Sequence, residues 1–258
     1  MSNQSKKGLA PEPRIFLSTE WRDLVLLNYE VPPDLLTPYV PPGVELDSWD
    51  GRTYASLVGL RFAQTKLFGQ LAVPFHTDFD EVNLRFYVRR RSDEELRRGV
   101  VFIREIVPLH AVAQIARMVY GESYLRLPMR HSISNGNSPI SIEYQWRLHS
   151  QWNRLYADAD CQPSLPAEGS IERFITEHYW GYARQRDGRC VEYHVSHAPW
   201  RVCTASFAGF KGDADRLYGP NLGHILKRPP DSAFVADGSP VLIFRSSQIG
   251  PDKPQPRK

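Results

Sequence analysis

The segment Glu81-Val82-Asn83-Leu84-Arg85-Phe86-Tyr87-Val88 alternates polar and apolar residues without a break. On a strand, that period sets Val82, Leu84, Phe86 and Val88 on one face and Glu81, Asn83, Arg85 and Tyr87 on the other. A carboxylate and a guanidinium four residues apart, with an amide between them, make either a solvent-facing row or the lining of a polar cavity. In a cavity, Glu81 is a candidate general base and Arg85 an anion clamp, with Asn83 between them. The run Val101-Phe102-Ile103-Arg104-Glu105-Ile106-Val107 sets Arg104 and Glu105 on opposite faces of an apolar strand. Charges in such a run are paired, edge-exposed or functional. Thr176-Glu177-His178-Tyr179-Trp180-Gly181-Tyr182 gathers rings beside a carboxylate. It reads either as an aromatic core ladder that bends at Gly181, or as a ligand wall with His178 or Glu177 as acid or base.

Other chemistries lack their residues. The chain has no G-x-S-x-G, no phosphate loop and no G-x-G-x-x-G. His194-x-x-His197 would point its two rings to opposite faces of a strand, and His76-x-Asp78 and Glu192-x-His194 have no third ligand nearby. No metal and no cofactor are therefore expected. The net charge is +3, and no nucleic-acid-binding signature accompanies it, so nucleic acid is not an expected partner. Seven of the 32 cations are lysines and the rest are arginines, a bias that fits recognition of small anions as well as it fits coding composition. There is no apolar run long enough to span a membrane and no apolar leader, so a cytoplasmic location is expected. Cys161, Cys190 and Cys203 show no C-x-x-C spacing and are expected to be reduced thiols.

These residues need strands to position them. Asp50-Gly51, Asn135-Gly136, Asp187-Gly188 and Asp237-Gly238 each supply the positive φ of a tight hairpin. They pair 44–49 with 53–62, 129–134 with 140–146, 174–186 with 190–197, and lead into the run Val241–Phe244. A fifth hairpin joins Val82–Val88 to Val100–Val107 through a charged loop. Helical spacing predicts a helix over Pro108–Tyr120, and shorter ones over Pro33–Tyr39 and from Ile171 behind a Ser170 cap. The expected fold is mostly β, with an antiparallel sheet that curls or closes on itself in one domain over 14–249, between flexible tails at 1–13 and 250–258.

Glu20-Trp21-Arg22, Asn28-Tyr29-Glu30-Val31, Val73-Pro74-Phe75-His76, Asp80 to Arg85, Gly99 to Pro108, Tyr120-Gly121-Glu122 and Thr176 to Tyr182 together resemble the YqjF-like family of uncharacterised bacterial proteins, within the acetoacetate decarboxylase-like superfamily. The resemblance implies a cone-like, mostly antiparallel β-barrel flanked by a few helices. It also implies a test of mechanism. The superfamily's decarboxylases carry G-R-E-x-x-G-x-P-K-K, whose first lysine forms a Schiff base. Here the like-spaced stretch runs from Ala116 to Leu125: Arg117 and Gly121 match, Met118 replaces the glutamate, and Tyr124 and Leu125 replace the two lysines. A tyrosine forms no imine, so lysine Schiff-base decarboxylation is not expected. Glu81 resembles the acidic residue those enzymes place near the lysine.

Three readings follow. The first is an enzyme acting on a small carboxylate or carbonyl compound, with Glu81 as base, Arg85 or Arg104 binding the anion, and Tyr124 or His178 donating a proton. Asn83, Glu105 and Glu177 would complete its binding set. The second is a non-catalytic protein holding a small-molecule ligand on the same scaffold. The third is an interaction or structural subunit whose polar row is surface. Whichever holds, the expected partners are a small-molecule ligand and, as an open alternative, further copies of the chain in a homo-oligomer.

Overall fold

The computed structural model describes residues 14–72, 76–92, 95–109, 123–134 and 139–249. Its strands are β1 (Ile15–Glu30), β2 (Glu45–Leu46), β3 (Tyr54–Leu67), β4 (Leu71–Ala72), β5 (Phe79–Arg91), β6 (Leu96–Val107), β7 (Tyr124–Arg126), β8 (Met129–Ser134), β9 (Ile140–Leu148), β10 (Gln151–Ala159), β11 (Trp180–Arg184), β12 (Cys190–His197), β13 (Val202–Thr204), β14 (Phe207–Lys211), β15 (Ser232–Phe244) and β16 (Ser247–Ile249). Neighbours in the order β15-β1-β3-β5-β6-β11-β12 are hydrogen-bonded, and β12 pairs back onto β15 through Val195↔Ile243 and Ser196↔Leu242. Seven strands thus close a barrel, as expected. Closure requires a parallel step between β6 and β11, and β7 also lies parallel to β6, so the sheet is mixed rather than purely antiparallel. Gly99 permits that step, because a Cβ there would lie 2.5 Å from the Trp180 carbonyl oxygen.

The second sheet, β14-β10-β9-β8, covers one outer face of the barrel. Val82, Leu84, Phe86 and Val88 pack outward into a core shared with Tyr144, Trp146, Leu155 and Ala157 of that sheet. A second core of Leu60, Phe62, Phe79, Tyr87, Phe174 and Trp200 packs on the inner side of the barrel. Both faces of β5 are therefore buried, and its polar row lines the inside of the barrel.

The turn signals fare unevenly. β5–β6, β8–β9 and β11–β12 are hairpins, although the Asn135-Gly136 turn itself lies outside the described residues. Asp50-Gly51 does turn, with Asp50 and Gly51 both at positive φ, but only as an isolated Trp49↔Arg52 bridge. β2 crosses to pair with β5 instead of β3. Asp237-Gly238 closes no hairpin: β15 runs on through it in unbroken register with β1, and Gly238 (φ 76°) lies beside Asp23 (φ 54°), where the pairing of β1 with β3 shifts register. A positive φ serves a bulge as well as a turn. A Cβ at Gly238 would lie 2.0 Å from the Trp21 carbonyl oxygen. Gly238→Ala is accordingly expected to lower unfolding free energy by about 3 kcal/mol, read by denaturant titration, since left-handed strain and a backbone clash add.

Ser170 caps the helix Ile171–Thr176 by accepting from the Arg173 amide, which moves the start of the following strand to Trp180. Pro33–Leu36 is helical and continues as a short 3-10 turn over Thr37–Tyr39. The expected helix Pro108–Tyr120 lies, beyond Leu109, outside the described residues, as do the two tails. Two helices not expected from the sequence, Ala214–Tyr218 and Pro220–Leu226, also pack against the outer core. The thiols correct the sequence reading: Cys161 and Cys203 form a disulfide, and only Cys190 is free, and buried. A separation of 42 residues hid the pairing, which the Ser164↔Val202 bridge brings about. Among the described residues no helix is long and apolar enough to cross a membrane.

Candidate active site in the barrel lumen

The odd-numbered residues of β5 point inward in the order Phe79, Glu81, Asn83, Arg85, Tyr87, and all are buried. Around them lies a cavity of about 130 Å³ whose wall includes Glu81, Arg85, Glu105, Tyr124 and His178. Among the five, Glu81 is the most informative. Asn83 Nδ2 donates to its Oε1 at 2.9 Å, and the Tyr124 hydroxyl also bonds its carboxyl. Burial nonetheless dominates and pushes the Glu81 carboxyl up to about 7, against the lowering effects of Asn83, Arg85 and Tyr124. Asn83 thus stands beside Glu81 as its hydrogen-bond donor. Tyr124 reaches the lumen from β7, where it pairs with Glu105 of β6, itself opposite Asn83.

Arg85 is 8% exposed, and its Nε has no acceptor. Its guanidinium carbon lies 5.9 Å from the centre of the Tyr87 ring. His178 packs between Tyr87 and Phe174, with centroids 4.7 and 5.1 Å away. Its Nε2 is 3.5 Å from Asp47 Oδ2, beyond a formed hydrogen bond, and that oxygen accepts from Arg98 Nε at 2.7 Å. Burial pushes the His178 imidazole down to about 4, so at neutral pH it holds no imidazolium proton to donate. Burial would raise Asp47, but the close approach of His178 and the hydrogen bond from Arg98 outweigh it and hold the carboxyl at about 2.

Two expected members lie elsewhere. Arg104 sits on the outer face of β6, where its charge acts on Tyr218. Glu177 opens onto an outer groove and pairs with Arg173 at 3.1 Å. Sequence reasoning also missed residues. Asp47 arrives through the two-residue strand β2, for which no local pattern exists. Trp21, His197 and Trp200 form a ring wall: His197 stacks on Trp200 at 4.5 Å, and Trp21 meets Trp200 at 5.9 Å and Phe62 at 5.9 Å. The sequence marked Trp21 only within a family-like segment and His197 only as half of an unsuitable metal pair, with nothing to say that the three meet. His197 Nδ1 donates to the Ala198 carbonyl, and burial pushes its imidazole down to about 4.

Lys66, Lys211 and Lys227 are exposed, and no described lysine lines the cavity. Lys227 is paired with Asp215. Among the described residues no group of three or more His, Cys, Asp or Glu side chains could hold a metal ion.

The profile of the DUF2071 family, described as an uncharacterized conserved protein, matches residues 18–240. The chain belongs to that family. It is 24% identical over 206 residues to the uncharacterized protein YqjF of Bacillus subtilis (strain 168), covering 78% of this chain and 81% of that one. Among solved structures it is similar to the enduracididine biosynthesis enzyme MppR complexed with the condensation product of pyruvate and imidazole 4-carboxaldehyde, at a TM-score of 0.68 and 15% identity, covering 95% of this chain and 92% of the other. It is also similar to the acetoacetate decarboxylase of Legionella pneumophila, at a TM-score of 0.62 and 13% identity, covering 97% and 98% of the two chains. At these identities the DUF2071 chain shares their fold.

Proposed function

We propose that this protein is an enzyme that moves a proton at a carbon next to the carbonyl of a small 2-oxo acid, without a lysine Schiff base. The observation that carries the reading is Glu81: a fully buried carboxyl poised at about 7 in a ring-walled cavity, four residues from an arginine with a free donor. Arg85 would take the carboxylate. Glu81 in its ionised form would remove the proton from carbon, becoming a carboxylic acid, and Tyr124 would donate to the enolate oxygen. His178, neutral and turned to Asp47, is assigned no proton donation. Neighbours on this scaffold support the choice of substrate, since MppR has been solved with pyruvate. The second reading, a ligand-binding protein without chemistry, draws on the mainly apolar wall.

The test is exchange of the methyl protons of pyruvate in D₂O, followed by NMR. Exchange well above the protein-free rate is expected, and exchange at the protein-free rate would favour the binding protein. Arg85→Leu should raise KM by roughly 10-fold or more, because it removes a charge-assisted contact. Borohydride treatment with pyruvate should leave Lys66, Lys211 and Lys227 unmodified. An adduct mapped to any of them by mass spectrometry contradicts the mechanism.

A further inference from the structure

Arg85 belongs to a second polar row, one that runs across the strands rather than along β5. Ser232, Asn28, Ser56 and Arg85 stand directly opposite one another on the adjacent strands β15, β1, β3 and β5. Residues in register share a face, so Asn28 and Ser56 point into the barrel with Arg85. Both are completely buried, and Tyr87 is 1% exposed. The Ser56 hydroxyl donates to Asn28 Oδ1 at 2.6 Å and meets the Tyr87 hydroxyl at 2.5 Å, while Asn28 Nδ2 donates to Ser232 Oγ at 3.2 Å. Each hydroxyl has a single proton, and that count fixes the direction of the chain. Ser56 has given its proton to Asn28, so the proton between Ser56 and Tyr87 comes from the tyrosine. The Tyr87 oxygen is left with lone pairs only.

Arg85 is the group that meets this oxygen. Its guanidinium carbon lies 5.9 Å from the centre of the Tyr87 ring. Burial raises the Tyr87 hydroxyl, and Arg85 works against that both as a charge and as a donor. Among the described residues no carboxylate pairs with Arg85. The lumen acid that feels its charge, Glu81, holds its proton up to about pH 7. A buried cation needs acceptors, but a carboxylate partner would compete with an incoming anion. A neutral acceptor meets the need and leaves the charge in place.

We infer that Tyr87 is a positioning residue for the anion site: the chain through Ser56 and Asn28 to Ser232 turns its proton away from Arg85, and its oxygen holds a guanidinium that keeps its full charge for the ligand. Tyr87 is not part of the cavity wall and acts through Arg85. The inference rests on the proposed role of Arg85 as the carboxylate clamp and names what holds the clamp.

Tyr87→Phe keeps the ring that packs on Phe174 and His178 and removes only the oxygen. In an NMR titration of the full chain with pyruvate, Tyr87→Phe should bind roughly 10-fold more weakly. In the exchange assay the loss should fall on KM rather than kcat. Ser56→Ala leaves Arg85 and Tyr87 in place and releases only the direction of the proton, and should weaken binding roughly 3-fold. Adding Tyr87→Phe to Arg85→Leu should weaken binding no further, because the two residues act as one unit. Parent-like affinity in either single variant, folded by circular dichroism, overturns the proposal. So does a Tyr87→Phe loss that persists in the Arg85→Leu chain, which would mark a purely structural effect. If the unmodified chain binds no pyruvate, the substrate assignment falls, and the side-chain NMR signals of Arg85 in ¹⁵N-labelled protein decide this inference separately. Its two η nitrogens should give resolved signals in the parent, as in a guanidinium held against rotation, and merge in Tyr87→Phe. The same pattern in both chains overturns the inference.

Discussion

Glu81→Gln is expected to raise unfolding free energy by about 3 kcal/mol at pH 8 and to slow proton exchange at least 100-fold. Both effects come from one cause. The Glu81 carboxyl moves from its ordinary 4.5 to about 7 because burial penalises the ionised form more than Asn83, Arg85 and Tyr124 relieve it. A shift of that size is worth about 3 kcal/mol between the two protonation states. The sign follows from which state holds the proton more tightly. Between about pH 4.5 and 7 the folded chain keeps the Glu81 proton and the unfolded chain has lost it, so this group's stabilisation is full below 4.5 and fades as pH rises through 7. Glutamine cannot ionise and avoids that cost above pH 7, while still accepting from Asn83. A chain of this size should gain roughly 2–4 °C in Tm per kcal/mol. The amide has no basic oxygen to take a proton from carbon, and general-base catalysis contributes 10²–10⁴-fold. A variant that is both less active and no more stable would show that the carboxyl is not held in a costly ionised state.

Acidification below pH 6.5 should have the opposite slope, set by the two lumen histidines. His178 and His197 are pushed from 6.5 to about 4 by burial, so each contributes stability that is present above 6.5 and lost as pH falls through about 4. Each is worth about 3 kcal/mol in full. Between 4.5 and 6.5 the two imidazoles oppose the single Glu81 carboxyl and win by about one proton. Unfolding free energy should therefore fall by about 3 kcal/mol from pH 6.5 to 4.5, and nearly twice as much in Glu81→Gln, where the opposing group is gone. His197→Phe retains a ring to stack on Trp200 and should remove most of the net slope. Urea titrations at pH 4.5, 5.5 and 6.5 measure this, and a slope unchanged in His197→Phe would contradict it.

Strand parity alone made the lumen row legible: Glu81, Asn83 and Arg85 share a face in the sequence and share it in the barrel. Which face was inside was not legible, because β5 is buried on both sides and its apolar face serves a second sheet. The barrel followed from hairpin count, yet two of the turn dipeptides were misread. A positive φ is a local property, and whether the chain reverses there depends on the neighbouring strand, as Gly238 opposite Arg22 shows. Glu105 and Arg104 were correctly assigned to opposite faces, and only topology could say that Arg104 faces Tyr218 rather than the cavity. Glu177 was displaced because Ser170 starts a helix that ends just before it. Asp47 had no signal, since its contacts with His178 and Arg98 are made by distant segments.

The central claim is that Glu81 is a near-neutral base acting on a 2-oxo acid in the lumen. The pH dependence of pyruvate methyl exchange in D₂O tests it most directly. The account expects kcat/KM to rise with pH through an inflection near 7 in the unmodified chain, and expects both the inflection and the exchange to vanish in Glu81→Gln. A profile without an inflection near 7, or a Glu81→Gln chain that exchanges as fast as the parent, would contradict it.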